Sequence, residues 1–120
     1  MNTREIGRQA EDLVCKLLIK KGYKIICRNW TCYAGEIDII VQKERLVFIE
    51  VKSVGASAYC KPHELFTPKK RKSLLRAIQF YLSKNHLCGV DWRLTLVCLE
   101  KGKNEKKFSG IRVFSQPFSF

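Results

Sequence analysis

The sequence lacks any long apolar segment. Its longest purely apolar runs are about four residues long, whereas a membrane-spanning helix needs roughly 20. The N-terminal residues are charged from position 4 onward and contain no apolar signal core, so we expect no export and a cytoplasmic location. Internal repeats, low-complexity tracts and linkers are also missing from the sequence. Residues 1–120 are therefore predicted to form a single domain.

Zinc-binding motifs are missing as well. No two cysteines have the CxxC spacing, and the only histidines, His63 and His86, lack a matching spacing. Because no export signal is evident, we interpret the cysteines as small buried thiols in a reducing compartment rather than as disulfides. The six cysteines are at positions 15, 27, 32, 60, 88 and 98.

Acidic residues are few relative to basic ones. The chain has 23 Lys and Arg against 11 Asp and Glu, which gives a net charge of +12 and a pI near 9.7. A domain this small and this basic most often binds a polyanion. Nucleic acid is the first choice of partner and an anionic membrane surface is the second. A basic protein without such a partner is the remaining alternative.

Apolar spacing and turn residues predict a mixed α/β sheet with helices packed on it. An apolar stripe with helical spacing covers 4–21 and is followed by Gly22, which favours a helix end. A second helix begins at Thr67-Pro68, with Thr as the N-cap, and extends to residue 85. The remaining predictions are strands at 24–30, 35–41, 45–52 and 92–100, an edge strand at 108–114, a loop at 53–66 and a charged turn at 102–107.

Charged side chains interrupt two of the most apolar predicted strands, GEIDIIV and RLVFIEVK. Buried charge is costly unless it is paired, hydrogen-bonded or bound to a metal. A hairpin centred on the turn between these strands would place Asp38 opposite Glu50. The same register would place Glu36 opposite Lys52, and strand alternation would put Ile40 on the face of Asp38. The alternative is a cross-strand ladder of salt bridges on a solvated face.

The pair Asp38 and Glu50 is suited to a divalent metal ion. Two close carboxylates repel each other unless one is protonated or a cation joins them. Mg²⁺ prefers oxygen ligands and often uses only one or two carboxylates together with water and a substrate phosphate. Lys52 beside them would stabilise a transferring phosphoryl group, or position or activate the attacking water. Glu11, at the margin of the first helix's apolar stripe, would hold a metal-bound water; a surface ion pair is its alternative role.

Four cations open the second predicted helix, in the stretch PKKRK. The macrodipole is already positive there, so these cations are disfavoured unless an anion such as phosphate binds. A tolerated basic patch is the alternative. Arg28, Trp30 and Tyr33 would add a basic and aromatic surface for stacking bases, although Trp30 fits the core equally well. The candidate phosphate contacts are Lys69, Lys70, Arg71, Lys72 and Arg76.

With these residues placed, the chain resembles the YraN-like uncharacterised bacterial proteins. That family is a branch of the PD-(D/E)XK nuclease superfamily, with similarity to archaeal Holliday-junction resolvases. The resemblance covers residues 4–100 and is carried by AEDLVCKLLIKKGYKIICRNW, GEIDII, VFIEVKS and TPKKRKSLLRAIQFYL. It implies a restriction-endonuclease-like fold, in which a mixed β-sheet is flanked by helices.

The resemblance also implies a site. Asp38, Glu50 and Lys52 match the catalytic motif of the superfamily, and Glu11 matches its helix-borne acidic residue. Lys70 matches a basic position at the start of the second helix. The implied metal is Mg²⁺ or Mn²⁺, with Asp38, Glu50 and the backbone carbonyl of Val51 as its ligands.

The activity implied by the resemblance is endonucleolytic hydrolysis of phosphodiester bonds, with DNA preferred over RNA and branched DNA among the substrates. Two alternatives stay open. One is a non-catalytic nucleic-acid-binding module on the same fold, and the other is an interaction protein whose basic face meets an acidic partner. A homodimer would suit the cleavage of two strands, but no segment of the sequence marks an interface.

Overall fold

The described part of the chain folds into one five-stranded sheet and three helices. A computed structural model describes residues 3–55, 61–102 and 108–115. The elements are α1 (Thr3–Lys20), β1 (Lys24–Cys32), β2 (Gly35–Gln42), β3 (Leu46–Val54), α2 (Pro62–Leu65), α3 (Pro68–Lys84), β4 (Trp92–Lys101) and β5 (Phe108–Ser115).

The strands lie in sequence order, β1-β2-β3-β4-β5. β3 and β4 pair in parallel, whereas the other neighbours pair antiparallel. The parallel pair needs a long crossover, which includes α3, because parallel strands cannot be joined by a tight turn. The predicted mixed α/β sheet is therefore confirmed, and the architecture is consistent with a restriction-endonuclease-like fold.

The helices α1 and α3 cover opposite faces of the sheet and create two cores. On one face, Leu74, Ile78 and Tyr81 of α3 pack against a cluster that includes Phe48 of β3. On the other face, Ala10 and Val14 of α1 pack against strand residues of the opposite parity. This arrangement follows from the near-continuous apolar runs of the central strands, which have buried residues on both faces.

The C-terminal end of α1 and the N-terminal start of α3 have the capping residues that the sequence predicts. At the end of α1, Gly22 adopts a φ of +94°. Its N–H donates to Ile19 and the N–H of Tyr23 donates to Leu18, each at 3.0 Å, which is the Schellman pattern that favours glycine. At the start of α3, the Thr67 hydroxyl accepts the N–H of Lys70 at 3.2 Å. These caps fix the two helices that flank the site.

The β2–β3 hairpin has the predicted register, but its ladder ends before Glu36 and Lys52, which do not pair as predicted. Ile39 and Ile49 form the last pair of its ladder on the side away from the turn, and the same register puts Asp38 level with Glu50. β3 continues beside β4 as far as Val54. The strands β2 and β3 therefore part next to Asp38, and a gap opens between them.

The side-chain alternation along β2 is interrupted between Ile37 and Ile39. Ile37 and Ile40 belong to the same cluster under α3, although residues three apart in a regular strand face opposite ways. Their partners on β1, Trp30 and Cys27, also pack against that cluster. Between those partners Asn29 adopts a φ of +51°, a left-handed conformation that interrupts the alternation. Glu36, next to Ile37, therefore faces the side opposite to Ile40, and the common face predicted for these two residues is wrong.

Two other predictions also need correction. The predicted loop at 53–66 contains the short helix α2, because a single turn forms where the amides of Glu64 and Leu65 donate to the carbonyl of Lys61.

The cysteines are not uniformly buried thiols: Cys88 is an exposed thiol. Cys98 is disulfide-bonded. The predicted charged turn at 102–107 lies mostly outside the described residues. The predicted edge strand at 108–114 is confirmed as β5.

In residues 3–55, 61–102 and 108–115, no helix combines the length and the apolar character that crossing a bilayer requires.

Candidate functional site

A cavity of about 510 Å³ opens in the gap where β2 and β3 part. α1 closes it from one face of the sheet and the start of α3 closes it from the other. All the residues that the sequence proposes as catalytic line this cavity, and Lys70 joins them. Its walls comprise Glu11, Asp38, Glu50, Lys52 and Lys70, together with Gly7, Ala10, Gly35, Glu36, Val51, Ser53, Ser73 and Leu74.

Asp38 is held in the gap by the neighbouring strand. Its Oδ2 accepts a hydrogen bond from the backbone N–H of Val51 at 2.8 Å, in a stretch where the β2–β3 ladder has already ended. Burial, together with the adjacent Glu50 carboxyl, raises the pKa of Asp38 to about 8. Two carboxyl groups therefore share a confined space, which disfavours ionisation of both at once.

Glu50 is the most buried charged side chain of the site, at 6% exposure. The ammonium of Lys70 lies 3.5 Å from its Oε2 and supplies the opposite charge. Lys52 lies beside Glu50 and Lys70. Burial lowers the pKa of Lys52, the Lys70 ammonium lowers it further, and the Glu50 carboxylate acts against them. The site thus combines two carboxylates and two lysines on the α3 side of the gap.

Glu11 reaches the cavity from α1, as its position on the margin of the apolar stripe predicts. It is not a simple surface ion pair: Arg28 is 3.8 Å away but forms its shorter contact, 2.7 Å, with Asp12. The Oε1 of Glu11 accepts a hydrogen bond from Asn29 at 2.9 Å. Burial raises the pKa of Glu11, and the Asn29 hydrogen bond partly offsets that effect.

Asn29 is a site residue that the sequence analysis missed. Its Nδ2 donates both to Glu11 and, at 2.8 Å, to Glu36, so a single amide holds two carboxylates of the cavity wall. A signal was present in the sequence, since asparagine is depleted in strands yet is the non-glycine residue best suited to positive φ. Its place in the middle of the predicted first strand could have marked a break there.

The candidate phosphate contacts on α3 separate into three groups. Lys70 points into the cavity. Lys69, Lys72 and Arg76 are spaced by three or four residues and therefore lie along one flank of the helix. Arg71 falls on the other side of that helix, by the same periodicity. The first turn of α3 contains no acidic residue, so its positive end is not neutralised locally.

The predicted basic and aromatic surface is only partly assembled. Arg28 is not part of it, because its guanidinium contacts Asp12 of α1 on the other face of the sheet. Trp30 packs against the core cluster under α3, and Tyr33 is exposed at the turn between β1 and β2. The aromatic members of the surface are therefore on the α3 side, without Arg28.

The donor atoms of the cavity suit a hard divalent cation. Asp38 and Glu50 supply oxygen ligands, and burial together with the nearby Glu50 carboxyl raises the pKa of Asp38, an effect that a cation would oppose. Within the described ranges, no three His, Cys, Asp or Glu side chains form a group that could hold a metal by themselves. Structural zinc sites need such a group, whereas Mg²⁺ commonly uses one or two carboxylates, water and a substrate phosphate. The side chains present fit Mg²⁺ or Mn²⁺ better than zinc.

Comparisons with known proteins identify a family. The model of the uncharacterised protein family UPF0102 matches residues 10–99. A UPF0102 protein of Carboxydothermus hydrogenoformans is 41% identical over 105 residues, which cover 87% of this chain and 89% of that protein. Another, of Flavobacterium psychrophilum, is 36% identical over 104 residues, covering 86% and 87%. A third, of Moorella thermoacetica, is 34% identical over 119 residues and covers 98% of both chains. The chain therefore belongs to the uncharacterised protein family UPF0102, which confirms the resemblance to YraN-like proteins.

Proposed function

We propose that the protein is a metal-dependent endonuclease that hydrolyses phosphodiester bonds in nucleic acid, with DNA preferred over RNA. One observation carries this proposal: two carboxylates and a lysine converge on a single cavity from two strands that part at that point. A salt-bridge ladder on a solvated face accounts poorly for them, because Glu50 is buried. Burial also moves the pKa of Asp38 and that of Lys52 away from their ordinary values.

The metal would be held by Asp38, Glu50 and the backbone carbonyl of Val51. When bound, Mg²⁺ or Mn²⁺ would neutralise negative charge on the scissile phosphate and lower the pKa of water. Glu11 and its hydrogen-bonding partner Asn29 would order water at the α1 side of the cavity.

Lys52 would act on the attacking water. A lysine whose pKa is lowered by burial gives up its proton more readily than an exposed lysine, and its neutral amine would accept a proton from the attacking water. In its charged form the same group would stabilise negative charge on the phosphoryl oxygens. Lys70 supplies a second positive charge beside Glu50 and keeps the buried carboxylate compensated.

The basic start of α3 would hold the nucleic-acid backbone. Contacts to phosphate and sugar provide affinity and orientation but carry no direct sequence information. Binding should therefore be tight at low salt, weak at high salt and largely independent of sequence. The proposed contacts are Lys69, Lys70, Arg71, Lys72 and Arg76.

A second candidate function, a non-catalytic nucleic-acid-binding module, is favoured by the contact between Lys70 and Glu50. Because the ammonium lies 3.5 Å from the carboxylate, Glu50 has a cationic partner without any metal ion. Such a module would bind nucleic acid equally well in EDTA and would release no product.

A cleavage assay separates the two candidates. Purified protein would be incubated with single-stranded DNA, duplex DNA, a four-way DNA junction and RNA, each with Mg²⁺, Mn²⁺ or EDTA. Asp38→Ala and Glu50→Gln would be assayed beside the wild type. Glu44→Gln is the matched control, since Glu44 is an exposed acid in the turn at the opposite end of the same hairpin.

The nuclease proposal predicts metal-dependent product from the wild type and from Glu44→Gln, and none from the two site variants. Salt-sensitive binding without product under any condition would leave only the binding module. Product that persists in Asp38→Ala would show that the cavity is not the source of the activity.

A further inference from the structure

A cluster of three aromatic rings lies on the α3 side of the sheet, where the turn between β1 and β2 meets α3. Tyr33 stands at that turn and is 81% exposed, and Phe80 of α3 is 39% exposed. Their ring centroids are 5.4 Å apart in an edge-to-face arrangement. Trp30 lies 6.1 Å from Phe80 and 5.2 Å from the core residue Tyr81. We call Tyr33, Phe80 and Trp30 the aromatic platform.

The aromatic platform is anchored on both sides. Trp30 connects it to the core beneath α3. The turn that carries Tyr33 is tied to α3, because the Ser73 hydroxyl donates a hydrogen bond to the carbonyl of Ala34. An exposed aromatic ring on such a support loses little conformational freedom when a flat ligand stacks on it.

A row of cations borders the aromatic platform. Lys69, Lys72, Arg76 and Phe80 follow one flank of α3, spaced by three or four residues. In the described part of the chain these three cations form no ion pair, so their charges are available to an anion. Cations beside exposed aromatic rings are the combination that binds single-stranded nucleic acid, with phosphates on the cations and bases on the rings.

The aromatic platform is close to the proposed catalytic cavity along the chain. Gly35 and Glu36, two and three residues after Tyr33, line the cavity wall. Three extended residues span at most about 10 Å, so a nucleotide stacked on Tyr33 would lie near the cavity. Ser73, which fixes the turn, also lines the cavity.

From this placement we infer that the protein recognises nucleic acid with unpaired nucleotides next to the position that it cleaves, and that one unpaired base stacks on Tyr33. The part of this inference that concerns cleavage rests on the proposed function, whereas the part that concerns binding does not. A base inside a regular duplex presents no free face to a ring, so the aromatic platform selects overhangs, flaps and junction strands over continuous duplex. The cations of α3 hold the phosphates that flank the stacked base.

The test is a binding measurement in EDTA, where no cleavage occurs. Fluorescence anisotropy would give dissociation constants for a blunt duplex, the same duplex with a single-stranded overhang, and that overhang made of abasic nucleotides. The proteins would be the wild type, Tyr33→Ala, Tyr33→Phe and Val113→Ala. Val113 is the matched control because it is 60% exposed but lies on β5, away from the aromatic platform.

We expect Tyr33→Ala to weaken binding of the normal overhang by roughly 5-fold or more, the loss typical of one stacked base. Binding of the abasic overhang and the blunt duplex should not change. Tyr33→Phe, which keeps the ring, should bind like the wild type, as should Val113→Ala. Equal effects of Tyr33→Ala on all three ligands, or no effect on any, would overturn the inference.

A second measurement distinguishes loss of base stacking from a change in oligomeric state. Light scattering on Tyr33→Ala would reveal a changed oligomeric state, and such a change would assign the aromatic platform to contact between copies instead of to a base. Failure of the nuclease proposal would leave the EDTA result intact, since binding is measured without metal. Conversely, cleavage of blunt duplex and overhang at equal rates would retain the nuclease and reject the selection for unpaired nucleotides.

Discussion

The ammonium of Lys70 compensates the charge of Glu50, since its Nζ lies 3.5 Å from the Oε2 of Glu50. Lys70 is in the first turn of α3, whereas Glu50 is buried in the middle of β3. A cation in the first turn of a helix is disfavoured by the macrodipole, typically by a few tenths of a kcal/mol or more. A buried carboxylate without a partner is far less favourable. The basic start of α3 therefore has a structural role in addition to its proposed contact with phosphate.

The first prediction concerns this ion pair. Lys70→Ala should lower the free energy of unfolding by about 1 kcal/mol at neutral pH, because it removes one of the two lysines beside the buried Glu50. Urea unfolding monitored by circular dichroism measures the change. Lys69→Ala, one residue earlier and exposed, is the control and should change stability by less than about 0.5 kcal/mol. Added Mg²⁺ should reduce the loss in Lys70→Ala, and equal behaviour of the two variants would contradict the prediction.

The second prediction concerns the pH dependence of stability. The pKa of Asp38 is about 8 in the folded protein, against an ordinary value of 3.8, so the folded state binds this proton more tightly than the unfolded state. Its contribution to stability is complete below pH 4 and is lost as the pH rises toward 8. Asp38→Asn, which cannot ionise, should therefore be more stable than the wild type at pH 8, by at least about 1.4 kcal/mol.

The comparison should be repeated at pH 4 and with metal. The advantage of Asp38→Asn should shrink as the pH falls, because the wild-type carboxyl then keeps its proton. Mg²⁺ should stabilise the wild type more than the variant, in proportion to ligand occupancy. Asp91→Asn replaces an exposed aspartate and should show neither effect. A wild type that is as stable at pH 8 as Asp38→Asn would refute the raised pKa.

The parts of the site that local pattern determines could be predicted from the sequence. The hairpin register followed from two apolar strands and the turn between them, which put Asp38 level with Glu50. The N-cap Thr67 and the stripe on α1 that carries Glu11 to the sheet also followed from local rules. Each of these features depends on residues that are near each other in the chain.

The parts that depend on long-range contacts could not be predicted. The common face predicted for Glu36 and Ile40 was wrong because β2 changes its alternation opposite Asn29, which adopts a left-handed conformation in β1. The contact of Lys70 with Glu50 depends on how α3, within the crossover between β3 and β4, packs on the sheet. Spacing identified Lys70 as a basic residue at a helix start but did not give its partner.

The third prediction concerns Lys52. If its amine accepts a proton from the attacking water, Lys52→Arg should lose about 100-fold in single-turnover cleavage rate, because arginine stays protonated at all accessible pH values. Lys52→Ala should lose at least as much. Lys43→Arg, at the far end of the hairpin, is the control. A Lys52→Arg variant that keeps the wild-type rate would mean that charge alone is required at this position.

The fourth prediction concerns salt. The logarithm of affinity for duplex DNA should fall linearly with the logarithm of salt concentration, and Arg76→Ala should reduce the slope by about one if it removes one phosphate contact. Lys72→Ala should behave in the same way. Lys24→Ala, an exposed cation on β1, serves as the control. A slope that stays unchanged in both α3 variants would place the phosphate contacts elsewhere.

The fifth prediction separates the role of Asn29 in the site from its role in the fold. A φ of +51° is unfavourable for most residues but costs glycine nothing, so Asn29→Gly should keep the free energy of unfolding within about 1 kcal/mol of the wild type. Asn29→Ala should be less stable than Asn29→Gly by about 1 kcal/mol, because alanine resists the left-handed conformation. Both variants lose the amide that holds Glu11 and Glu36, so both should cleave about ten times more slowly and need more Mg²⁺ for half-maximal rate. A cleavage rate that is lower in Asn29→Ala but normal in Asn29→Gly would show that Asn29 is required only for the backbone conformation and not for holding Glu11 and Glu36.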